Sequence, residues 1–328
     1  MHSSHIANEA ARLKPLAEKV LRRYDLTVRD VSHLATHSNV MFRVISDDGR
    51  QMVLRVGSPD ANTTANLRHE TAWLEALNRD TSLDLVRPLP TVSGRFVTEA
   101  IDPIDGRTRP CVLFTWVPGT PVGVGAGSFA YRLIGSMCAQ LQNHGETWMP
   151  RDPAELRHWD TVFYYDDSLD PQVIFDEYYD HLFQHSRKTL VEKALPVVEA
   201  VIKDTWSAGK PQIVHGDLHE WNVHLVGTRL YAFDFEDIMV ATPAQDVSVC
   251  LYSSRESTRT GEIRQAFREG FEAHRPWPIE DEAQLDGLHA ARQIMLMNFA
   301  ARTLPLEEAM AYLDRVFPWL ERYLGRYG

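Results

Sequence analysis

The sequence has 328 residues, of which 44% are hydrophobic and 24% are charged, and its net charge is −11. This composition is typical of soluble globular proteins, and the length predicts about two domains whose cores need no disulfide or structural metal. The negative charge argues against a nucleic-acid-binding protein, because phosphate backbones attract clustered Lys and Arg. Three scattered cysteines indicate a reducing compartment, and the N-terminal residues lack an apolar run typical of a signal peptide or membrane span. We therefore expect a cytoplasmic protein that binds neither nucleic acid nor membranes.

The first third of the chain predicts an α+β unit. Its apolar residues follow helical spacing near the N-terminus and again after the first strands, and short β-rich runs separate and follow these helices. The predicted elements are a helix within 1–26, strands at 40–45 and 52–56, a helix at 64–77, and strands at 94–100 and 111–117. The Asp48-Gly49 step between the first two strands is typical of a β-hairpin.

The Gly- and Pro-rich stretch from Pro118 to Gly127 predicts a boundary. Beyond it the pattern is mainly helical, with one β-like island from Gln212 to Asp237. The predicted helices span 131–141, 175–183, 188–202 and most of 262–327. We therefore predict two domains, a small sheet-containing N-lobe at 1–117 and a larger helical C-lobe at 118–328.

The β-like island contains the residues that indicate chemistry. Asp217 follows His215 by two positions, Asn222 follows Asp217 by five, and Asp234 comes after a predicted hairpin. Phosphoryl transfer needs a carboxylate that orients the acceptor hydroxyl and takes its proton, and oxygen ligands that hold Mg²⁺. We assign Asp217 as the catalytic base and Asn222 and Asp234 as metal ligands. The alternative is that these side chains cap helices and satisfy buried backbone groups, which is our interpretation of His215.

These motifs resemble a known family. The runs 215–222 and 233–236 resemble the signature of the aminoglycoside phosphotransferase and choline kinase family, and 139–144 resembles a helix end of that family. Asp246 matches its structural Asp, which steadies the catalytic loop. The resemblance implies a bilobed, protein-kinase-like α+β fold, with a small antiparallel-sheet N-lobe and a larger, mainly helical C-lobe. It also implies ATP and Mg²⁺ as cofactors.

If the resemblance holds, the N-lobe supplies the nucleotide contacts. Arg55 stands where protein kinases place a strand Lys, and Glu70 matches the helix residue that pairs with that cation. An edge-strand charge and a solvated helix face are the alternatives for these two residues.

Two further segments are nucleotide-binding candidates. The phosphate-covering hairpin corresponds to residues 36–42, which contain no glycine, so we assign its contacts to Ser38 and Asn39. The stretch from Thr115 to Val117 resembles the linker whose backbone groups hydrogen-bond adenine. Its alternative interpretation is the apolar end of a strand.

The phosphate acceptor is the least constrained part of the prediction. Aromatic and acidic residues at 159–167 and 176–180 could hold an amine, although an ordinary helical surface has the same pattern. Glu236, Asp237 and His219 are the candidate substrate contacts. We expect a kinase that phosphorylates a hydroxyl of an amino alcohol, amino acid or amino sugar. The alternatives are a protein Ser/Thr kinase of the bacterial stress-response type, which takes a protein as its partner, and a non-catalytic nucleotide-binding regulator.

Overall fold

The computed structural model describes residues 2–36, 38–59, 63–123, 126–165 and 170–328, with side chains from residue 9 onwards. Its helices, in chain order, are α1 (His2–Leu21), α2 (Thr64–Asp80), α3 (Ser128–Gly145), α4 (His185–Ala208), α5 (Pro243–Leu251), α6 (Thr260–Glu272), α7 (Glu282–Thr303) and α8 (Leu306–Tyr327). Among these helices, none combines the length and the apolar composition that a membrane crossing requires.

The strands of five or more residues all lie before residue 116, and the remaining strands have two to four residues. They are β1 (Val28–Thr36), β2 (Val40–Ser46), β3 (Gln51–Val56), β4 (Asp84–Leu85), β5 (Pro88–Leu89), β6 (Val97–Ile101), β7 (Thr108–Thr115), β8 (Thr120–Pro121), β9 (Arg157–His158), β10 (Gln212–Val214), β11 (Val223–Val226), β12 (Arg229–Ala232) and β13 (Met239–Ala241). Single 3-10 turns occur at Pro153–Glu155, Glu177–Tyr179 and Tyr252–Ser254.

The chain forms two compact units that are interleaved in sequence. The N-terminal unit contains Met1–Val122, Pro150–Leu156 and Asn222–Ile238. The C-terminal unit contains Gly123–Met149, Arg157–Trp221 and Met239–Gly328. The single boundary after Val117 stays a prediction; the N-terminal unit also contains two segments from beyond it, Pro150–Leu156 and Asn222–Ile238.

The N-terminal unit is built on an antiparallel sheet. Its strand order is β1-β2-β3-β7-β5, and β6 also pairs with β7. Alternate residues of β2 and β3, such as Phe42 and Leu54, are buried and pack with Leu13 and Val20 of α1. The β2–β3 hairpin turns at Gly49, whose φ of +84° suits a residue without a Cβ. A second sheet in this unit has the order β4-β12-β11-β8.

The C-terminal unit packs helices α3 to α8 around a small sheet of order β10-β13-β9. Its core includes Phe183, Val198, Ile294 and Leu320, which are all fully buried. Helices α3 and α6 approach so closely that a Cβ on Gly135 would lie 2.0 Å from a backbone carbonyl oxygen of α6. Glycine at this crossing is therefore a packing requirement.

Most predicted elements are confirmed, as is the α+β class, and the differences have local causes. The predicted helix at 175–183 is wrong, because a single 3-10 turn forms there and Asp176 caps it by accepting from the amide of Tyr178. Strand β1 was not predicted, because Val31 is its one buried residue and no alternating pattern results.

Candidate active site

The two proposed metal ligands lie at the same end of one hairpin. Strands β11 and β12 pair in antiparallel register, with Val223 opposite Ala232. The pairing continues one step beyond these strands, where Phe233 lies opposite Asn222. The backbone N–H of Phe233 donates to the carbonyl oxygen of Asn222 at 3.1 Å. Asp234 therefore follows directly after the residue opposite Asn222, as the spacing predicted.

Asp234 has a strained backbone that is held by its neighbour. Among the described residues it is the one non-glycine residue with positive φ, at +63°. Such a conformation costs roughly 1–2 kcal/mol and persists where the surroundings fix it. Phe235 supplies that constraint, because it is fully buried and its ring packs edge-on against Trp73 of α2 at 5.7 Å. The Asp234 side chain is 41% exposed, whereas Asn222 is buried.

Arg55 and Glu70 form a buried ion pair in the N-terminal unit. Arg55 lies on β3 between Met41 of β2 and Val112 of β7, and it is 3% exposed. Its Nη2 contacts Oε2 of Glu70 on α2, which is 1% exposed. The structure thus brings together the strand cation and the helix carboxylate that the resemblance pairs, and their role in nucleotide binding stays a prediction.

Further carboxylates surround the guanidinium of Arg55. Its Nη1 lies 3.3 Å from Glu236 Oε2 and 3.9 Å from Asp234 Oδ1. Burial lowers the pKa of Arg55, but Glu70, Glu236 and Asp234 raise it by more, so the group stays charged. The pKa of Glu70 is raised, because burial outweighs the opposing effect of Arg55. This cluster concentrates negative charge beside Asp234, where a cation would reduce the repulsion.

The two residues predicted to contact phosphate from the hairpin, Ser38 and Asn39, differ in burial and in hydrogen bonding. The amide of Asn39 donates to Glu236 Oε2 at 2.7 Å, and its Oδ1 accepts from the backbone N–H of Ser58. Ser38 is exposed, and His37 lies outside the described residues. Glu236 thus contacts both Arg55 and Asn39. The next residue, Asp237, has a half-buried side chain.

In the predicted adenine-binding stretch, two of the three backbone amides already donate hydrogen bonds within the protein. The N–H of Thr115 donates to the carbonyl of Arg87, and the N–H of Trp116 donates to that of Gln51. In the described part of the chain, no group accepts a hydrogen bond from the amide of Val117. Within the stretch 115–117, the backbone N–H of Val117 is therefore the best candidate for a nucleotide contact.

Two buried side chains of the C-terminal unit anchor the loop that carries Asp217. Asp246, fully buried on α5, accepts from the N–H of Gly216 at 3.1 Å and from Nε2 of Gln142 at 3.0 Å. His215 is also fully buried, and its Nδ1 accepts from the N–H of Asp217 at 3.2 Å. Both contacts fix the backbone at Gly216 and at the N–H of Asp217, which is consistent with the bracing role predicted for His215.

Two hydrogen-bond donors, one on His219 and one on Arg292, contact the carboxylate of Asp217. Its Oδ2 lies 3.3 Å from Nε2 of His219, and its Oδ1 pairs with Nη2 of Arg292 on α7. His219 Nδ1 accepts from the amide of Trp221, so its proton is on Nε2 and faces Asp217. Arg292 was not predicted, because it lies 75 residues from Asp217 and no local pattern marks it.

The charges around Asp217 and His219 shift the pKa values of both side chains. Burial raises the pKa of Asp217, but His219, Arg292 and His215 lower it by more, so the pKa of the carboxyl falls below its usual range. Burial lowers the pKa of His219, and Asp217 raises it by more, so the net shift is upward. Asp217 is therefore deprotonated at neutral pH.

Several of the aromatic and acidic side chains at 159–167 and 176–180, which were predicted to hold an amine, contact other residues of the protein. Trp159 is buried in the core, and its ring lies 5.4 Å from that of Tyr164. Asp176 caps the 3-10 turn described above, and Asp180 pairs with Lys188. The predicted contacts Asp166 and Asp167 lie outside the described residues.

Comparisons with known proteins now identify the family. The sequence model of the phosphotransferase enzyme family, abbreviated APH, matches residues 31–316. The chain belongs to this family. It is accordingly an enzyme of the phosphotransferase class, and the resemblance inferred from the motifs is confirmed.

Individual relatives are distant in sequence and close in fold. An uncharacterized Synechocystis protein is 25% identical over 303 residues, which cover 89% of this chain and 79% of that protein. A microcompartment-associated aminopropanol kinase superposes with a TM-score of 0.78 at 21% identity, covering 96% of this chain and 98% of its own. Amicoumacin kinase, solved with AMP-PNP and Ca²⁺, gives 0.78 at 16% identity and covers 99% and 96%. A Plasmodium vivax ethanolamine kinase gives 0.58 at 12% identity and covers 94% and 85%. The kinase-like fold is thereby confirmed.

Proposed function

We propose that the chain transfers the γ-phosphoryl group of ATP to a hydroxyl group of a small molecule. The observation that carries the proposal is the β11–β12 hairpin, which brings Asn222 and Asp234 to one end while Arg55 lies 3.9 Å from Asp234. Two hard oxygen ligands beside a fixed guanidinium suit a metal–triphosphate complex. We also propose a cytoplasmic location, on the basis of the scattered cysteines.

The donor set at the hairpin fits magnesium. Mg²⁺ prefers oxygen ligands and needs few of them from the protein, and Asn222 and Asp234 provide an amide oxygen and a carboxylate. The negative cluster of Asp234, Glu236 and Glu70 favours a cation there. When bound, the ion supplies positive charge that neutralises the phosphate oxygens.

The nucleotide contacts follow from the Arg55 cluster. The guanidinium is held by Glu70 and is buried, so its remaining N–H groups keep a fixed direction. A planar fork of this kind binds phosphate oxygens at two points. The amide of Val117 is the proposed adenine contact, because the neighbouring amides are already used.

Asp217 acts on the acceptor. Its lowered pKa makes it a weak base, so it orients the hydroxyl and receives the proton as the new O–P bond forms. His219 and Arg292 hold its two oxygens in place. The acceptor hydroxyl would replace or share one of these contacts.

The small-molecule acceptor is supported by the names of similar proteins. An aminopropanol kinase, an amicoumacin kinase and an ethanolamine kinase share the fold over most of the chain. A cationic group on the acceptor stays a prediction from the sequence, as do the contacts of His219 and Asp237 with it.

Binding of the nucleotide tests the assignment of the metal ligands. We expect Mg-ATP to raise the melting temperature of the wild type and of Asp217→Asn, and to leave Asp234→Ala unchanged. Asp217→Asn should bind Mg-ATP without transferring phosphate. The control Asp48→Ala removes an exposed carboxylate of the same unit and should behave as the wild type. If Asp234→Ala responds to Mg-ATP as the wild type does, the metal assignment is wrong.

A further inference from the structure

Glu220 is a buried carboxylate within the loop that carries the proposed base. It follows Asp217 by three positions and precedes the proposed metal ligand Asn222 by two. Glu220 is 1% exposed, and no step of the proposed transfer uses it. We call residues 215–222 the catalytic loop.

The carboxylate of Glu220 lies among hydroxyl groups. Its Oε2 accepts from Oγ of Ser253 at 2.7 Å, in the 3-10 turn that follows α5. The buried hydroxyl of Tyr131 on α3 lies beside both Glu220 and Ser253. Burial raises the pKa of Tyr131 to about 12, and the charge of Glu220 adds to the rise, so this hydroxyl keeps its proton and is able to donate. The catalytic loop is thereby tied to two other segments of the C-terminal unit.

No cation neutralises this carboxylate. Among the residues that the structure describes, no Lys, Arg or His side chain forms an ion pair with Glu220. A buried carboxylate without a cation costs free energy, because hydroxyl donors replace only part of the hydration that it loses. A neutral side chain would avoid this cost, so stability alone does not explain a glutamate here.

The backbone of the catalytic loop is fixed on both sides of Asp217. On the N-terminal side, Asp246 and His215 accept from the first two amides, as described above. On the C-terminal side, the carbonyl oxygen of Glu220 accepts from the N–H of Gly123 at 2.9 Å. Glu220 thus anchors the loop after the base with both its carbonyl and its carboxylate.

We propose that Glu220 is a positioning residue, which holds the segment between Asp217 and Asn222 in place through the hydroxyl groups of Ser253 and Tyr131. The inference rests on the proposed function, because it concerns the loop that carries the base and one metal ligand. A misplacement of about 1 Å can slow a reaction of this kind about a hundredfold. The role requires the length and the acceptor oxygens of the side chain rather than its charge.

Three substitutions separate length from charge. Glu220→Gln keeps the length and one acceptor oxygen but removes the charge. Glu220→Asp keeps the charge but is one methylene shorter, so it does not reach Ser253. Glu220→Ala removes both properties. The control is Glu256→Ala, which removes an exposed carboxylate of the same unit that pairs with Arg322.

Binding of ATP in the presence of Mg²⁺ and in the presence of EDTA provides the measurement, because the metal-dependent part of the affinity depends on Asn222. In isothermal titration calorimetry, Glu220→Asp and Glu220→Ala should weaken Mg-ATP binding about tenfold or more, as loss of a group that supports a metal ligand does. Their ATP affinity in EDTA should change less than about twofold, and Glu220→Gln should stay within about threefold of the wild type in both conditions. A residue that only stabilises the fold would leave the gain from Mg²⁺ unchanged in every folded variant.

Ser253 tests the path of this effect. Ser253→Ala removes the partner hydroxyl from an exposed residue and should lose part of the gain from Mg²⁺. Added to Glu220→Ala, it should cause no further loss, because both changes remove the same hydrogen bond. Losses that multiply in the double variant overturn the proposal. Where Glu220→Ala does not fold, Ser253→Ala decides, and a wild-type response from it overturns the proposal.

The two proposals fail in different ways. If every folded Glu220 variant keeps the wild-type gain from Mg²⁺, or if Glu220→Gln loses as much as Glu220→Ala, the positioning role falls and the phosphotransferase function stands. If the wild type does not bind Mg-ATP, the proposed function itself falls.

Discussion

Replacement of Asp246 should separate the stability of the catalytic loop from its chemistry. This side chain is fully buried and accepts from the N–H of Gly216 and from Nε2 of Gln142. Asp246→Ala leaves the N–H of Gly216 buried without an acceptor, at about 1–3 kcal/mol, whereas Nε2 of Gln142 loses one bond but still donates to the carbonyl oxygen of Pro243 at 3.2 Å. We therefore expect the free energy of unfolding to fall by about 3 kcal/mol. Asp246→Asn retains one acceptor oxygen and should lose about half as much.

Urea denaturation of the three proteins provides the measurement, together with turnover at saturating Mg-ATP. The turnover of Asp246→Asn should fall about tenfold or more even where the protein is fully folded, because the loop that positions Asp217 is loosened. Asp314→Ala removes an exposed carboxylate of the same unit and should change stability by less than about 0.5 kcal/mol. An Asp246→Ala variant within that margin of the wild type would refute the reasoning.

Three further predictions follow from other parts of the molecule. Gly135→Ala should destabilise the protein by about 3 kcal/mol in urea denaturation, because its Cβ meets a carbonyl of α6, whereas Gly261→Ala, with nothing near it, should stabilise by up to about 1 kcal/mol; equal effects would contradict the close crossing. Glu70→Gln should lower the free energy of unfolding by about 3 kcal/mol, since it leaves a buried guanidinium short of a counter-charge, and an unchanged value would contradict the buried pair. The pKa of His219 is raised in the fold, so its contribution to stability is complete below about pH 6.5 and is lost as pH rises through the folded pKa. His219→Gln should accordingly lower the melting temperature more at pH 6 than at pH 9, and a constant difference would contradict its pairing with Asp217.

The catalytic segment could be predicted from sequence because its geometry is local. The hairpin between Asn222 and Asp234 has a fixed register, so the spacing of the two residues determines that they emerge at the same end. The local sequence pattern was not sufficient to pair Arg55 with Glu70, and that pairing was predicted from the family resemblance. The structure brings both together in the N-terminal unit.

Other features depend on tertiary packing and left no signal in the sequence. Arg292 reaches Asp217 from a helix late in the chain, and nothing in α7 distinguishes it from its neighbours. Glu236 was predicted as a substrate contact, and in the structure it pairs with Arg55 and Asn39. The helix predicted at 175–183 failed because a capped turn satisfied its backbone locally.

Transfer of labelled γ-phosphate from ATP tests the central claim most directly. The wild type and Asp217→Asn should be compared at equal occupancy by Mg-ATP, with small-molecule hydroxyl compounds and with a protein mixture as separate acceptors. We expect label in the small-molecule fraction with the wild type and none with Asp217→Asn. Full transfer by Asp217→Asn, or label that enters proteins alone, would contradict the account.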